Sequence, residues 1–233
     1  LRITKEQVIG RYTLQRPYLG RIGKSTPLFL VNGNHENAAR YLLDGTPNSV
    51  PVIVGKARIQ NYPLPAPDRF YTGDSEPVEH LGLRRDYYAF TWGDALFITL
   101  DPYWHSPVQI DAGIGGGGAE RKNRQKGERG KGGGTRGGWE ATMGDAQYQW
   151  LARTLAESKA KYKFVFSHHV LGTGRGAVEM ADLYEWGGKS RNGTWEFEKH
   201  RPKWAMPIHQ LFVKHKVTIF FQGHDHLFAR QQK

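Results

Sequence analysis

Three short apolar runs in this chain each end in a small cluster of imidazole or amide side chains, and no other feature constrains the fold as strongly. Pro27-Leu28-Phe29-Leu30-Val31 leads into Gly33-Asn34-His35-Glu36. Lys163 to Ser167 leads into His168-His169, and Val217 to Gln222 leads into Gly223-His224-Asp225-His226. Continuous apolar runs of this length, bounded by turn residues, predict fully buried strands. In layered α/β folds functional groups gather at strand ends, where the loops converge. Three strand ends pointing one way would bring the clusters together.

The intervening sequence fits an α/β layering. Residues 4–22 predict a helix, with Val8, Tyr12 and Leu19 on one face and Pro17 as an irregularity. Asn37 to Leu43 predicts a short helix, and the Pro-, Asp- and Gly-rich stretch 61–75 predicts a loop. Tyr87 to Thr91 and Ala95 to Leu100 flank Trp92-Gly93-Asp94, which predicts a hairpin whose second strand ends at Asp101. Asp145 to Ala160 predicts an amphipathic helix with Tyr148, Leu151 and Leu155 on its apolar face. Pro207 to His215 predicts another helix.

Composition narrows the chemistry. The chain has 233 residues and no cysteine, so disulfides and thiolate metal sites are excluded. A metal would have to be held by His, Asn and carboxylates. No run approaches the ~18 apolar residues of a membrane helix. The formal net charge is +11. Between Gly113 and Gly138, seven Lys/Arg face two Glu, so that one segment carries about +5 of the total. Its 12 glycines in 26 positions predict a mobile loop with no packed core. Such a segment could bind nucleic acid or an anionic surface, but it has no interleaved aromatics before Trp139, and a solvated linker is the favoured reading.

Asn34, His168, His224 and His226 form a candidate metal set. Imidazole nitrogens suit Zn, Fe and Mn, and an Asn side-chain oxygen suits the harder of these. A His-x-His pair in a tight loop can reach two metals ~3.5–4 Å apart. Singly, Asn34-His35 reads equally well as a turn with a capping residue, and His168-His169 reads more readily as one buried and one surface histidine, while Gly223-His224-Asp225-His226 after a buried strand is less easily attributed to packing. Their joint occurrence, in this order and at strand ends, is harder to attribute to packing.

Gly33-Asn34-His35-Glu36, Ser167-His168-His169 and Gly223-His224-Asp225-His226 together resemble the third, fourth and fifth sequence blocks of the calcineurin-like metallophosphoesterase superfamily. The order and spacing match, and the resemblance spans nearly the whole chain apart from the Gly-rich insert. It implies a four-layer α/β/β/α sandwich forming a single domain over 1–233, with an insert at about 113–138. It also implies two metal ions (Fe, Mn or Zn) and in-line attack on phosphorus by a metal-bound hydroxide. Carried over residue by residue, Asn34, His168 and His224 would hold one metal and His226 the other. The family's ligand is the first His after the strand, which favours His168 over His169. His35 would be the general acid. Glu36 would orient the loop or sit at the surface. Arg175 and Arg191 are candidates for meeting a substrate phosphate. Trp186, Trp195 and Trp204 would wall a pocket or, as favoured, pack an irregular lobe.

The departures are specific. No Asp-x-His and no bridging Gly-Asp precede Gly33, where the only carboxylate is Glu6. Gly73-Asp74, Gly93-Asp94 and Gly144-Asp145 come out of order and read as turns or caps. Seven residues follow the last block. The expectation is a domain incomplete at both ends, with one metal site keeping three ligands and the other one. Weak metal binding and little hydrolysis of phosphate mono- or diesters follow. A catalytically inactive relative and a nucleic-acid-binding protein acting through the basic loop are the alternatives. Absence of cysteine fits bacterial and extracytoplasmic members of the family.

Overall fold

The computed structural model describes residues 4–108, 110, 138–169, 181–224, 228, 230 and 232. It is a mixed α/β structure organised on a five-stranded sheet. Helix α1 (Lys5–Ile22) starts at Thr4, whose hydroxyl accepts from the Gln7 amide while Gln7 reaches back to the Thr4 amide. Helix α2 (Val50–Asn61) packs against it through Val8, Tyr12, Val54 and Ala57. The sequence pattern leaves 44–60 unassigned. Pro51 sits in the first turn of α2, where a missing N–H costs nothing.

The strands are β1 (Thr72–Gly73), β2 (Pro77–Val78), β3 (Gly82–Leu83), β4 (Tyr88–Trp92), β5 (Ala95–Thr99), β6 (Tyr162–Ser167) and β7 (Ile219–Gln222). The main sheet runs β1-β4-β5-β6-β7, and β2 pairs with β3 alone. The predicted hairpin is β4–β5, paired antiparallel from Tyr88↔Thr99 to Trp92↔Ala95. Strand β6 lies parallel to both β5 and β7. Parallel neighbours require crossovers, supplied by α3 (Asp145–Glu157) before β6 and by α4 (Tyr184–Gly187), α5 (Phe197–His200) and α6 (Ile208–Lys214) before β7.

Alternation along the strands separates two faces. Leu96, Ile98 and Val165 point to the helices, where they join Tyr148, Leu151 and Leu155 of α3 and Ile208, Leu211 and Phe212 of α6 in the main core. Each fully buried side chain of this kind contributes about 1.5–3 kcal/mol. Trp186 stacks on Phe220 at 5.5 Å and Trp204 on Tyr148 at 4.0 Å, so these two tryptophans pack the lobe. Trp195 is partly exposed and its indole N–H donates to Glu198.

The opposite face carries an aromatic row. Phe29 stacks on Phe90 at 4.5 Å, Phe90 on Phe97 at 5.1 Å, and Phe97 approaches Phe164 at 5.5 Å. Phe166 stacks on Phe221 at 5.0 Å.

Several expectations need correction. Pro27–Val31 is neither a strand nor buried: it pairs with no strand, and Leu28 and Phe29 are 38% and 41% exposed. Of its side chains Phe29 joins the aromatic row, and the Tyr88 hydroxyl donates to the Leu30 carbonyl at 3.1 Å. The helix expected over Asn37–Leu43 reduces to a 3-10 turn, Arg40–Leu42. Strand β7 is the sheet's edge, with Ile219 and Phe221 each 44% exposed, so an apolar run here signals one covered face and not two. The insert at 113–137 lies outside the described residues. Among the described residues, no helix is long and apolar enough to cross a membrane.

Candidate metal centre

The first donor comes from a pinned turn. Gly33–Glu36 folds back so that the Glu36 carboxylate accepts the Gly33 N–H at 2.5 Å, which gives Glu36 its loop-orienting role. Asn34–Glu36 forms a 3-10 turn, closed by Asn37 in the left-handed region at φ 50°. Asn tolerates that region better than most residues. The Asn37 amide also donates to the His35 carbonyl at 3.0 Å.

The next two donors come from adjacent parallel strands. His168 follows β6 directly, and Gly223 follows β7. The Gly223 N–H donates to the His168 carbonyl at 3.1 Å, extending the ladder one step beyond the strands. His168 continues the Phe164, Phe166 alternation, so it belongs to the aromatic face, where Phe29 and the following segment also lie. His169 falls on the helix side and is 1% exposed. His224 has φ 70°. Histidine is among the few side chains enriched there.

These placements bring Asn34, His168 and His224 together. His168 Nε2 lies 3.1 Å from Asn34 Oδ1 and 3.3 Å from His224 Nδ1. The strand expected before Asn34 is absent, yet the cluster forms, because the 3-10 turn does the work of a strand end. Gly33 eases the approach: a Cβ there would lie 3.3 Å from His168 Nε2 and 3.0 Å from the Glu36 carboxylate, so both side chains would have to shift slightly.

Of the other predicted site residues, His35 is exposed on the same turn as Asn34. Arg191 is exposed on a turn near the end of the Leu183–Thr194 stretch, and the hydrogen bonds that assemble the cluster do not include it. His226 and Arg175 lie outside the described residues. Among the described residues, no group of three or more His, Cys, Asp or Glu side chains gathers as a metal site. The cluster counts two imidazoles and one amide.

The donor spacing nevertheless fits a cation. Ligand bonds of about 2.0–2.1 Å around a tetrahedral ion put neighbouring donors about 3.3 Å apart. The Asn34–His168 and His168–His224 separations, 3.1 and 3.3 Å, are hydrogen-bond lengths that are also compatible with two such edges.

Beneath the cluster runs a buried charged network that sequence reasoning missed. Arg84 forms an ion pair with Asp74 and another with Asp86 at 3.3 Å, and stacks 4.2 Å over the Trp104 ring. Asp74 is therefore no mere turn residue. Burial works against the Arg84 charge, but Asp86, Asp74 and Asp101 more than offset it and hold its pKa up. One cation cannot satisfy three carboxylates. Burial raises the pKa of Asp74 despite Arg84, and burial together with the Asp86 charge raises that of Asp101 well above the usual carboxylate range. His105 is lowered by burial and by Arg84. A carboxylate whose burial is invisible in sequence leaves no signal there, although Asp101 does stand at the predicted end of β5. A second buried pair, Glu185 with Arg201 at 2.9 Å, ties α4 to the residues after α5.

Comparison with protein-family models, curated proteins and solved structures gives no match. The functional reading rests on the geometry and the motifs alone.

Proposed function

We propose that this chain carries the metal centre of a phosphoesterase and that it hydrolyses phosphate mono- or diesters slowly. One observation carries the reading: His168 Nε2 lies 3.1 Å from Asn34 Oδ1 and 3.3 Å from His224 Nδ1, which gathers possible ligand atoms from three separate segments around one histidine. Asn34, His168 and His224 would hold a divalent or trivalent ion (Fe, Mn or Zn), and His226 would serve a second. Such ions supply charge neutralisation at a phosphoryl group and activation of water. The chain's own part is to bring donors from the ends of two adjacent parallel strands and from a 3-10 turn to one place. His35, exposed on the Asn34 turn, would protonate or stabilise the leaving oxygen. The aromatic face beside the cluster supports a sandwich architecture in which a second sheet layer covers Phe29, Phe97, Phe164 and Phe221.

Asn34, His168 and His224 are three neutral donors assigned to one ion, and His226 alone is assigned to a second. The expected result is one weakly held ion per chain by elemental analysis, and slow hydrolysis of p-nitrophenyl phosphate that falls further in His168→Ala. Metal content and hydrolysis equal in wild type and His168→Ala would refute the site. Two tightly held ions with rapid turnover would refute the claim of impairment.

A further inference from the structure

His169 stands next to a proposed ligand without being one, yet it is the more deeply buried of the two. It is 1% exposed, its Nδ1 lies 3.2 Å from the Tyr103 hydroxyl, and its ring sits 4.6 Å from the His224 ring at a 33° tilt. Tyr103 is itself fixed. It is 6% exposed, its ring meets His169 edge-on at 5.8 Å, and its backbone N–H donates to Asp101 Oδ1 at 3.1 Å. Asp101 is in turn held through both its backbone groups by the Gln147 amide of α3, at 2.9 and 2.6 Å. A rigid chain of contacts thus runs from α3 through Asp101, Tyr103 and His169 to His224.

We propose that Tyr103 and His169 are positioning residues that set the ring of His224 against His168. The need is local. His224 occupies the left-handed region at φ 70°, a conformation that persists only where its surroundings over-determine it. One restraint is the Gly223 N–H to the His168 carbonyl. Another is the His169 ring lying beside the imidazole. The Tyr103 hydroxyl fixes the rotation of the His169 ring, because a hydrogen bond to Nδ1 admits only one ring orientation. His168 then meets His224 edge-on, with ring centroids 5.3 Å apart and planes at 82°, which directs His224 Nδ1 toward His168 Nε2. Partners hydrogen-bonded directly to a ligating histidine are worth roughly 10–100-fold in metal affinity, and a restraint acting through a neighbouring ring falls at or below the lower end of that range. The inference rests on the proposed metal site only for that last consequence.

The test uses the full 233-residue chain and two variants, Tyr103→Phe and His169→Phe. Both keep an aromatic ring in place and remove the hydrogen bond. In metal-free protein, histidine ring NMR signals report the geometry. Both variants should shift the His224 ring resonances and lose the His224–His168 ring cross-relaxation, while thermal unfolding confirms that they fold. His224 signals unchanged in both folded variants would overturn the inference, since packing alone would then place the ring. Titration with Co(II), read by its visible spectrum, forms the second arm. The dissociation constant should rise by up to about 10-fold in Tyr103→Phe. A wild-type chain that binds no Co(II) would refute the proposed metal site, with the ring signals still deciding the positioning role.

Discussion

Replacing Arg84 with Met tests the buried network under the cluster. The Arg84 side chain is 3% exposed, and its partners Asp74 and Asp86 are 1% and 2% exposed. Met keeps an unbranched stem against the Trp104 ring, so little packing is lost. What disappears is the one cation among Asp74, Asp86 and Asp101. Breaking a buried pair by removing one partner costs about 3–5 kcal/mol. In a domain of this size each kcal/mol moves the midpoint by about 2–4 °C, so the fall should be roughly 6–20 °C. The sign with pH is fixed by the same carboxyls. Burial already raises the pKa values of Asp74 and Asp101 with Arg84 present, and losing the guanidinium raises them further. Stability from a raised acid is present below its unfolded pKa and lost as pH rises through the folded value. The deficit should therefore be larger at pH 8 than at pH 5. Adding Asp74→Asn should recover part of it. Denaturant unfolding of the single and double variants at both pH values is the assay. A loss below about 1 kcal/mol at pH 8, or one independent of pH, would refute the reasoning.

Asp101→Asn keeps the acceptor for the Tyr103 N–H and removes the ionisation that burial opposes. Wild-type stability should decline as pH rises through the elevated Asp101 pKa, and the variant's profile should be flatter over that range; parallel profiles would contradict the assignment. Gly144 has φ 85° and ψ 153°, a region essentially closed to side chains, and a Cβ there would lie 2.5 Å from His105 Cβ. Gly144→Ala should cost about 3 kcal/mol or more in the same unfolding assay, because the obstructing atom is fixed to the backbone.

The parts of the fold legible in sequence are those where periodicity and burial coincide. The β4–β5 hairpin shows as two runs around Gly93-Asp94, and α3 shows as Tyr148, Leu151 and Leu155 at helical spacing. Pro27–Val31 misleads for a physical reason. Hydrophobicity records that a segment packs, not that its backbone pairs, and Phe29 packs by stacking on Phe90. Helix α2 is hidden because Val50, Val52, Ile53 and Val54 favour strands by composition, while Pro51 starts the helix. The same limit applies to the site. Asn34, His168 and His224 stand out because motifs place them after apolar runs. His169 is marked by the same motif but its separate role is not, because that depends on which face of the sheet it takes after β6, and Tyr103 carries no mark at all. Asp74, Asp86 and Asp101 carry no local mark of burial.

The central claim is that positions 34, 168 and 224 form one cation site. X-ray absorption at the zinc edge of the zinc-loaded chain tests it most directly. The account predicts a first shell of about four N/O donors near 2.0–2.1 Å with outer-shell scattering from two imidazoles, reduced to one in His168→Ala. A spectrum indistinguishable between wild type and His168→Ala would contradict it.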